Sequence, residues 1–396
     1  MRDRVIKMFI LLVISLASFA YLTLKWFRTY SKLRKIQIPD HKLTKFPYFI
    51  DMIYSMIKLG ITSPENRFTI LANICFQHPD IVKTWLGPKM VIFACNPQRI
   101  QKVLLSQKCA EKWKLFYSFM DRETGLISAR VSLKWKEHRK FFNSCFSLPS
   151  IESFVPMFAE CCDDCCESLE QIEQRKDFDF LPLAKQLSFS LLCATSLDMK
   201  TKDVFEGTNF QEIFEAFEIT EAALNYKLEI PYVYPKTIYK LTKLYRSEKK
   251  AQALLTVFRT NIMKKRREFM KTVEYNNNEI KNPERIILTD HIIRSEDKFT
   301  TKEIDDHFLT FMGGYETVSN AVAHVILLLA MHTEAQDKLY QAIAKAIPSD
   351  GDLNNSVIVN GIEYLECVLR ESYRLMPTVP IILREVTDDF EIEPNL

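Results

Sequence analysis

Glycine is scarce in this chain, with 8 among 396 residues beside 16 prolines. That scarcity excludes a Gly- or Pro-rich low-complexity protein and argues against an all-β fold that needs a tight turn every few residues. Charge of one sign is lacking as well. The 53 Lys and Arg against 50 Asp and Glu leave a net charge of +3, so no basic field points to nucleic acid. Ten cysteines in a chain this long do not make a disulfide scaffold; they read as reduced thiols facing the cytosol. No internal repeat is visible. What is abundant is apolar: 47% hydrophobic residues, including 28 Phe, enough for a substantial and mainly helical core in one large or two ordinary domains.

The organising stretch runs from Thr300 to about Met331. Thr300 and Glu303 have capping-box spacing, and Phe299 with Ile304 suits a hydrophobic staple. No proline follows for thirty residues, so the pattern predicts one helix roughly 45 Å long. Its middle reads Phe311-Met312-Gly313-Gly314-Tyr315-Glu316-Thr317. Each central glycine costs about 1 kcal/mol relative to alanine, which implies backbone bending or close approach by something bulky. Glu316 and Thr317 supply an acid and a hydroxyl, the parts of a proton relay. The structural alternative is a close helix crossing, with Glu316 solvated and Thr317 bonded to its own backbone.

Near the start, Met8 to Leu24 is an apolar run interrupted only by Ser15, Ser18 and Thr23. Arg2, Arg4 and Lys7 precede it, and the larger cluster Lys25, Arg28, Lys32, Arg34 and Lys35 follows. The length suits the thin ER bilayer. A cleaved signal peptide is the competing reading, but Trp26, Phe27 and Tyr30 read as interfacial anchors. The expected organisation is a membrane anchor with its basic flank over 1–35 and one domain over 36–396. The downstream cations place that domain in the cytosol, near anionic headgroups.

After a short linker with Pro39 and Pro47 comes an amphipathic stretch from Phe49 to Leu59, then a helix from Asn66 to Gln77. Ile81–Leu86 and Met90–Ala94 read as strands around Gly87-Pro88, and Asn96-Pro97 starts another helix. Ser132 is the expected N-cap of a helix reaching about Asn143, with Trp135 and Arg139 on one face. Thr333 and Gln336 have the spacing of a second capping box. Gly361 to Leu375 reads as a helix, and Ile381 to Val386 as a strand carrying Arg384.

Several constellations have two readings. Glu371 and Arg374, three apart on a helix, can form a bidentate pair, which is commonly a solvated surface contact. Trp135 and Arg139 suit an anion clamp or a buried indole beside a rim cation. Cys162 and Cys165 have C-x-x-C spacing, yet no matching second pair exists for zinc; on a helix, Cys161, Cys162, Cys165 and Cys166 also read as small apolar side chains. Lys264 to Arg267 reads as a solvated helix face.

Taken together, in order and spacing, these signals resemble a cytochrome P450, over nearly the whole chain. Gly313-Gly314-Tyr315-Glu316-Thr317 is similar to that family's oxygen-binding motif, and Glu371-x-x-Arg374 to its structural pair. Trp135-x-x-x-Arg139 resembles its propionate-binding helix, and Arg384 its second propionate arginine. Trp85-Leu86-Gly87-Pro88 and the N-terminal anchor complete the likeness, which is nearest to microsomal P450s of the insect fatty-acid ω-hydroxylase group. The resemblance implies a mainly α fold around a long central helix with small β-sheets. It implies heme b as cofactor, bound through Trp135, Arg139 and Arg384, with Gly313 and Gly314 forming an oxygen notch. Glu316 and Thr317 would carry catalytic protons, and Glu371 with Arg374 would be structural. It further implies a haem monooxygenase in the endoplasmic reticulum membrane, an NADPH-dependent P450 reductase as partner, and a lipophilic substrate such as a fatty acid, hormone or xenobiotic.

Two departures shape the expectation. Gly313 stands where many relatives carry a Glu that esterifies haem, so no covalent attachment is expected. The family's thiolate loop, F-x-x-G-x-R-x-C-x-G, does not occur in these 396 residues. Cys367 precedes Glu371 on the same helix and does not match it. The expected site therefore has no metal ligand of its own, the iron-ligating cysteine lying beyond Leu396. A catalytically inactive P450-like membrane protein or fragment is the alternative to the monooxygenase.

Overall fold

The computed structural model describes residues 62–86, 89–172, 178–230, 236–276, 285–347 and 359–392, with Val233 and a few single positions before residue 62. The expected anchor lies outside the described residues except for isolated positions such as Leu24, as do the 49–59 stretch and the Gly87-Pro88 turn. The chain divides into two compact units: 1–111 with 224–242 and 384–396, and 112–223 with 243–383.

In the first unit, α1 (Pro64–Gln77) leads into an antiparallel hairpin of β1 (Ile81–Leu86) and β2 (Lys89–Ala94), paired from Ile81 opposite Ala94 to Leu86 opposite Lys89. The hairpin is followed by α2 (Pro97–Leu105), started by Asn96, whose side chain accepts from Gln98 N at 2.9 Å. Arg99 is buried and grips Asp80 through two 2.5 Å hydrogen bonds, a charge-assisted fork that ties α2 to the start of β1. The strand expected at Ile381 to Val386 is reduced to a single bridge, Glu385 N donating to Glu111 O at 2.8 Å.

The second unit is helical. Its longer elements are α3 (Leu133–Asn143), α4 (Val155–Glu170), α5 (Leu181–Leu192), α6 (Phe210–Glu229, whose end passes into the first unit), α7 (Lys243–Asn276) and α8 (Leu288–Ile293). They are followed by α9 (Thr301–Met312), α10 (Gly314–Met331), α11 (Thr333–Ala346) and α12 (Glu363–Leu375). Ser132 caps α3 as expected, accepting from Trp135 N at 3.2 Å. Thr300 and Glu303 form the full capping box of α9, worth about 1 kcal/mol. The second box does not form. The cap of α11 is His332, one residue earlier, so Thr333 is already inside the helix and caps nothing.

The core of this unit is aromatic. Phe142, Phe189, Phe214, Phe217, Phe258, Phe308 and Tyr315 are all buried in one cluster, each side chain contributing about 1.5–3 kcal/mol by burial. Tyr315 meets Phe189, Phe214 and Phe217 edge-on, at 5.5 to 5.6 Å between ring centroids. Packing of α10 against α5 is sealed by Ser188, whose hydroxyl donates to Tyr315 O at 2.6 Å.

Candidate functional site

The predicted single central helix is interrupted at Gly313, so α9 and α10 are two helices joined at one residue. Arg122, on the loop before α3, reaches this joint and donates from Nη1 to Leu309 O at 2.8 Å. The same carbonyl accepts from Gly313 N at 3.1 Å. Burial lowers the Arg122 guanidinium from its ordinary value while Asp306 opposes the shift. Asp306 in turn accepts from Thr124 N at 2.9 Å and Thr124 Oγ1 at 2.6 Å. Gly125 fits beneath because a Cβ there would stand 2.5 Å from Thr310 Oγ1. The 122–125 loop is therefore clamped on α9 just ahead of the joint.

The two glycines have different surroundings. A Cβ on Gly313 would meet Leu309 O at 3.3 Å and Arg122 Nη1 at 3.4 Å, whereas one on Gly314 would meet nothing within 4 Å. Gly314 is therefore not the contact point of a helix crossing; Tyr315 and Ser319 form the buried face of α10. On the other side, Thr317 and Val318 are exposed, along with Leu327 and Met331 further on. Thr317 bonds its own backbone, donating to Gly314 O at 3.1 Å.

Glu316 is half-buried rather than solvated. Burial, a hydrogen bond shared with Glu221 and the negative charge of Glu221 and Glu218 push its carboxyl up to about 8, against the pull of Lys185. Lys185 itself is paired with Glu218 at 2.9 Å. Two carboxyls facing one another hold a proton between them at neutral pH. Sequence reading missed Lys185, Glu218 and Glu221; the visible signal was that Glu218 and Glu221 lie three apart on one face of α6.

On α3, Trp135 is half-buried, and its indole N–H donates to Leu126 O at 3.0 Å. Lys112 lies over the ring at 5.1 Å. The N–H is thus committed within the protein, and the indole acts as a wall. Arg139 is exposed and pairs with none of the described residues. Between these positions on the helix, His138 is buried and shares a 2.9 Å hydrogen bond with His307 of α9. Glu303 completes the array, paired with Lys134 and 3.9 Å from His138 Nε2. Burial lowers His138, and burial with the neighbouring imidazole lowers His307 to about 4.

Glu371 and Arg374 form the predicted fork, with two 2.7 Å hydrogen bonds, on the exposed side of α12. Arg384 is half-buried in the first unit, next to the Glu385 bridge. Cys162 and Cys166 are exposed and Cys161 and Cys165 half-buried along α4. The reading of 264–267 as a solvated face is corrected at Arg266. That side chain is buried, held by Asp290 at 2.6 and 2.8 Å and by Asp198 at 3.1 Å.

The side of α10 at Gly314, where an added methyl would meet nothing within 4 Å, suits a planar apolar group such as haem, and Arg139 on α3 is a cation paired with none of the described residues. Comparison with known proteins identifies the family. The family model described as Cytochrome P450 matches residues 47–394. Cytochrome P450 4c21 of Blattella germanica is 28% identical over 345 residues, covering 83% of this chain and 67% of its own length. Probable cytochrome P450 313b1 of Drosophila melanogaster is 25% identical, covering 85% of this chain and 68% of its own. Probable cytochrome P450 4ac2 of the same fly is 28% identical over 74% of this chain and 57% of its own length. The chain thus spans about two thirds or less of these relatives. With a family match over most of its length and insect relatives of the kind its motifs resemble, this chain belongs to the cytochrome P450 family.

Proposed function

We propose that this protein acts as a haem monooxygenase, in which Gly314 lines the face against the cofactor and Glu316 holds the proton used there. The observation that carries this reading is the pairing of an open glycine with a carboxyl pushed up to about 8, two residues apart at a helix joint. Haem, when bound, supplies the oxygen chemistry. Arg139 and Arg384 would neutralise its propionates, and Trp135 would bound the pocket beside Arg139. Burial, with Glu221 beside it, holds the Glu316 carboxyl up at about 8, so at neutral pH it is a donor rather than an acceptor. Thr317, exposed one residue on, is the hydroxyl through which that proton would pass, after rotating away from Gly314 O. Glu371 with Arg374 would hold α12 to neighbouring chain.

The wider organisation follows the same reading. Residues 1–35 form a membrane anchor and 36–396 the P450 domain, at the endoplasmic reticulum and facing the cytosol. A flavoprotein reductase using NADPH supplies the electrons, and the substrate is a lipophilic molecule such as a fatty acid, hormone or xenobiotic. The insect relatives support this class.

A second reading rests on one sequence fact. The 396 residues contain no thiolate loop, and the only cysteine after Thr317 is Cys367, exposed on α12. On that reading these 396 residues are an inactive P450-like protein or a fragment that does not itself carry the thiolate, the ligand whose push favours O–O cleavage. The ferrous–CO spectrum of the haem-reconstituted protein separates the two. A thiolate-type band supports the monooxygenase; a histidine-type band, or no haem uptake, supports the inactive form.

A further inference from the structure

We propose that α4 binds a soft, two-coordinate cation of the Cu(I) class between Cys162 and Cys166, with Cys161 and Cys165 as a second pair beside them. All four lie on one unbroken helix, which has Pro156 in its first turn and contains no glycine. At 3.6 residues per turn, Cys161 and Cys165 sit about 40° apart around the axis, as do Cys162 and Cys166, and all four fall within about 140°. The helix packs along α5. Glu160, the acid before the first cysteine, is already paired with Lys200 at 2.8 Å. Cys161 and Cys165 are half-buried, Cys162 and Cys166 are exposed, and all four are free thiols. The outer pair therefore meets an arriving ion first.

The spacing suits a bridging ion better than a direct bond. Helical residues four apart keep their Cβ atoms about 5–6 Å from one another, beyond the roughly 3.5–4.5 Å that a disulfide needs. Helical side chains lean toward the N-terminus, the direction that carries a sulfur at i+4 toward the one at i. Two metal–thiolate bonds of about 2.3 Å place their sulfurs up to roughly 4.6 Å apart, a span these pairs reach by side-chain rotation alone. Thiolates select soft ions, and a monovalent d10 ion is satisfied by two of them in line. Zinc is a different case, because it takes four ligands around one point. Among the described residues no three ligand side chains converge in that way. Each pair binds with a defined balance: Cu(I) and two S–H groups give one bis-thiolate centre of charge −1 and two released protons. The copper stays Cu(I) throughout, so no oxidant is needed.

The test titrates the reduced full chain with Cu(I) under anaerobic conditions, against an excess of a chromophoric Cu(I) chelator, and counts the ions withheld from it. The other six of the ten cysteines are common to every protein compared and cancel. The unaltered chain should withhold two more ions than a variant with Cys161, Cys162, Cys165 and Cys166 all changed to Ser. It should withhold one more than Cys162→Ser with Cys166→Ser. No difference from the fourfold variant would overturn the site, and loss of both ions with the outer pair alone would overturn the division into two pairs. The unaltered chain supplies a readout that does not depend on a variant folding. Cleavage after glutamate isolates residues 161–167, which hold these four cysteines and no other. With Cu(I) bound, brief treatment with iodoacetamide should leave Cys162 and Cys166 unmodified while the exposed Cys367 is alkylated in the same sample. Alkylation of the outer pair at the rate seen without the ion would refute the proposal.

Discussion

Arg122 Nη1 donates to Leu309 O at 2.8 Å, four residues ahead of the glycine at which the central helix divides. A loop residue thereby satisfies a carbonyl at the place where helix geometry is interrupted. The side chain is half-buried, and its removal strands that carbonyl's second lone pair and leaves Asp306 without its nearby cation. Arg122→Met is expected to cost about 1–3 kcal/mol, read as a lower urea midpoint. An unchanged midpoint would mean that the joint does not depend on the loop.

Glu316 gives the fold an alkaline limit. Its carboxyl has an ordinary value of 4.5 and lies at about 8 in the fold, through burial and the proton shared with Glu221. Between these values the folded state binds more protons than the unfolded one. Its contribution is therefore fully present below 4.5 and is lost as pH rises through about 8. Glu316→Gln, which keeps the shape and stays neutral, should flatten the fall in melting temperature between pH 6 and 9. A variant with the same slope as the parent would remove Glu316 as the cause.

Much of this site was legible in the sequence, and the remainder failed for identifiable reasons. The caps at Ser132 and Thr300 are local, three-residue events, and they formed as read. The glycine pair signalled bending, and the helix does divide there, although propensity alone suggested an unbroken element. The Thr333 box failed because a cap depends on where the chain enters the helix, which His332 decides from outside the motif. Arg266 read as solvated because its neighbours Lys264 and Lys265 are of one charge; its acids, Asp198 and Asp290, are distant in sequence. The partners of Glu316 were hidden in the same way, since α5 and α6 meet α10 only in the folded core. Spacing along one helix reveals faces, not what each face meets.

The His138–His307 pair sets an acid limit of the opposite sign. Burial lowers both, His307 to about 4 from 6.5. Stability from keeping them neutral is complete above 6.5 and is lost as pH falls through about 4. Burial raises Glu303, but the bonds from Lys134 and Thr300 outweigh it and hold its carboxyl at about 2, so its own contribution is lost only in stronger acid. His138→Leu with His307→Leu removes both partners together and avoids leaving one unpaired. The double variant should lose less melting temperature than the parent between pH 7 and 5.

Arg266 is the buried charge whose loss should be felt most. Its side chain is 5% exposed, with Asp290 and Asp198 both bonded to it. Arg266→Ala would leave two acids facing a cavity with no cation, at a cost of about 3–5 kcal/mol. Lys264→Ala, two residues away on the exposed face, should change stability by less than about 0.5 kcal/mol. Chemical denaturation of the two variants side by side checks the contrast, and similar losses would contradict the burial of Arg266.

The adjacent glycines should answer to alanine with opposite signs. At Gly313 the new methyl would press on Leu309 O at 3.3 Å and Arg122 Nη1 at 3.4 Å, the two atoms that form the joint. Gly313→Ala is therefore expected to lower the melting temperature. At Gly314 nothing lies within 4 Å, and the residue begins α10 with ordinary helical neighbours. There alanine gains helix propensity and restricts the unfolded chain, which should stabilise the protein by about 0.5–1 kcal/mol. The same methyl would occupy the open side assigned to haem. Gly314→Ala should thus melt higher yet bind haem more weakly in an equilibrium titration. A variant that gains stability and keeps full haem affinity would show that the cofactor does not approach α10 at this glycine.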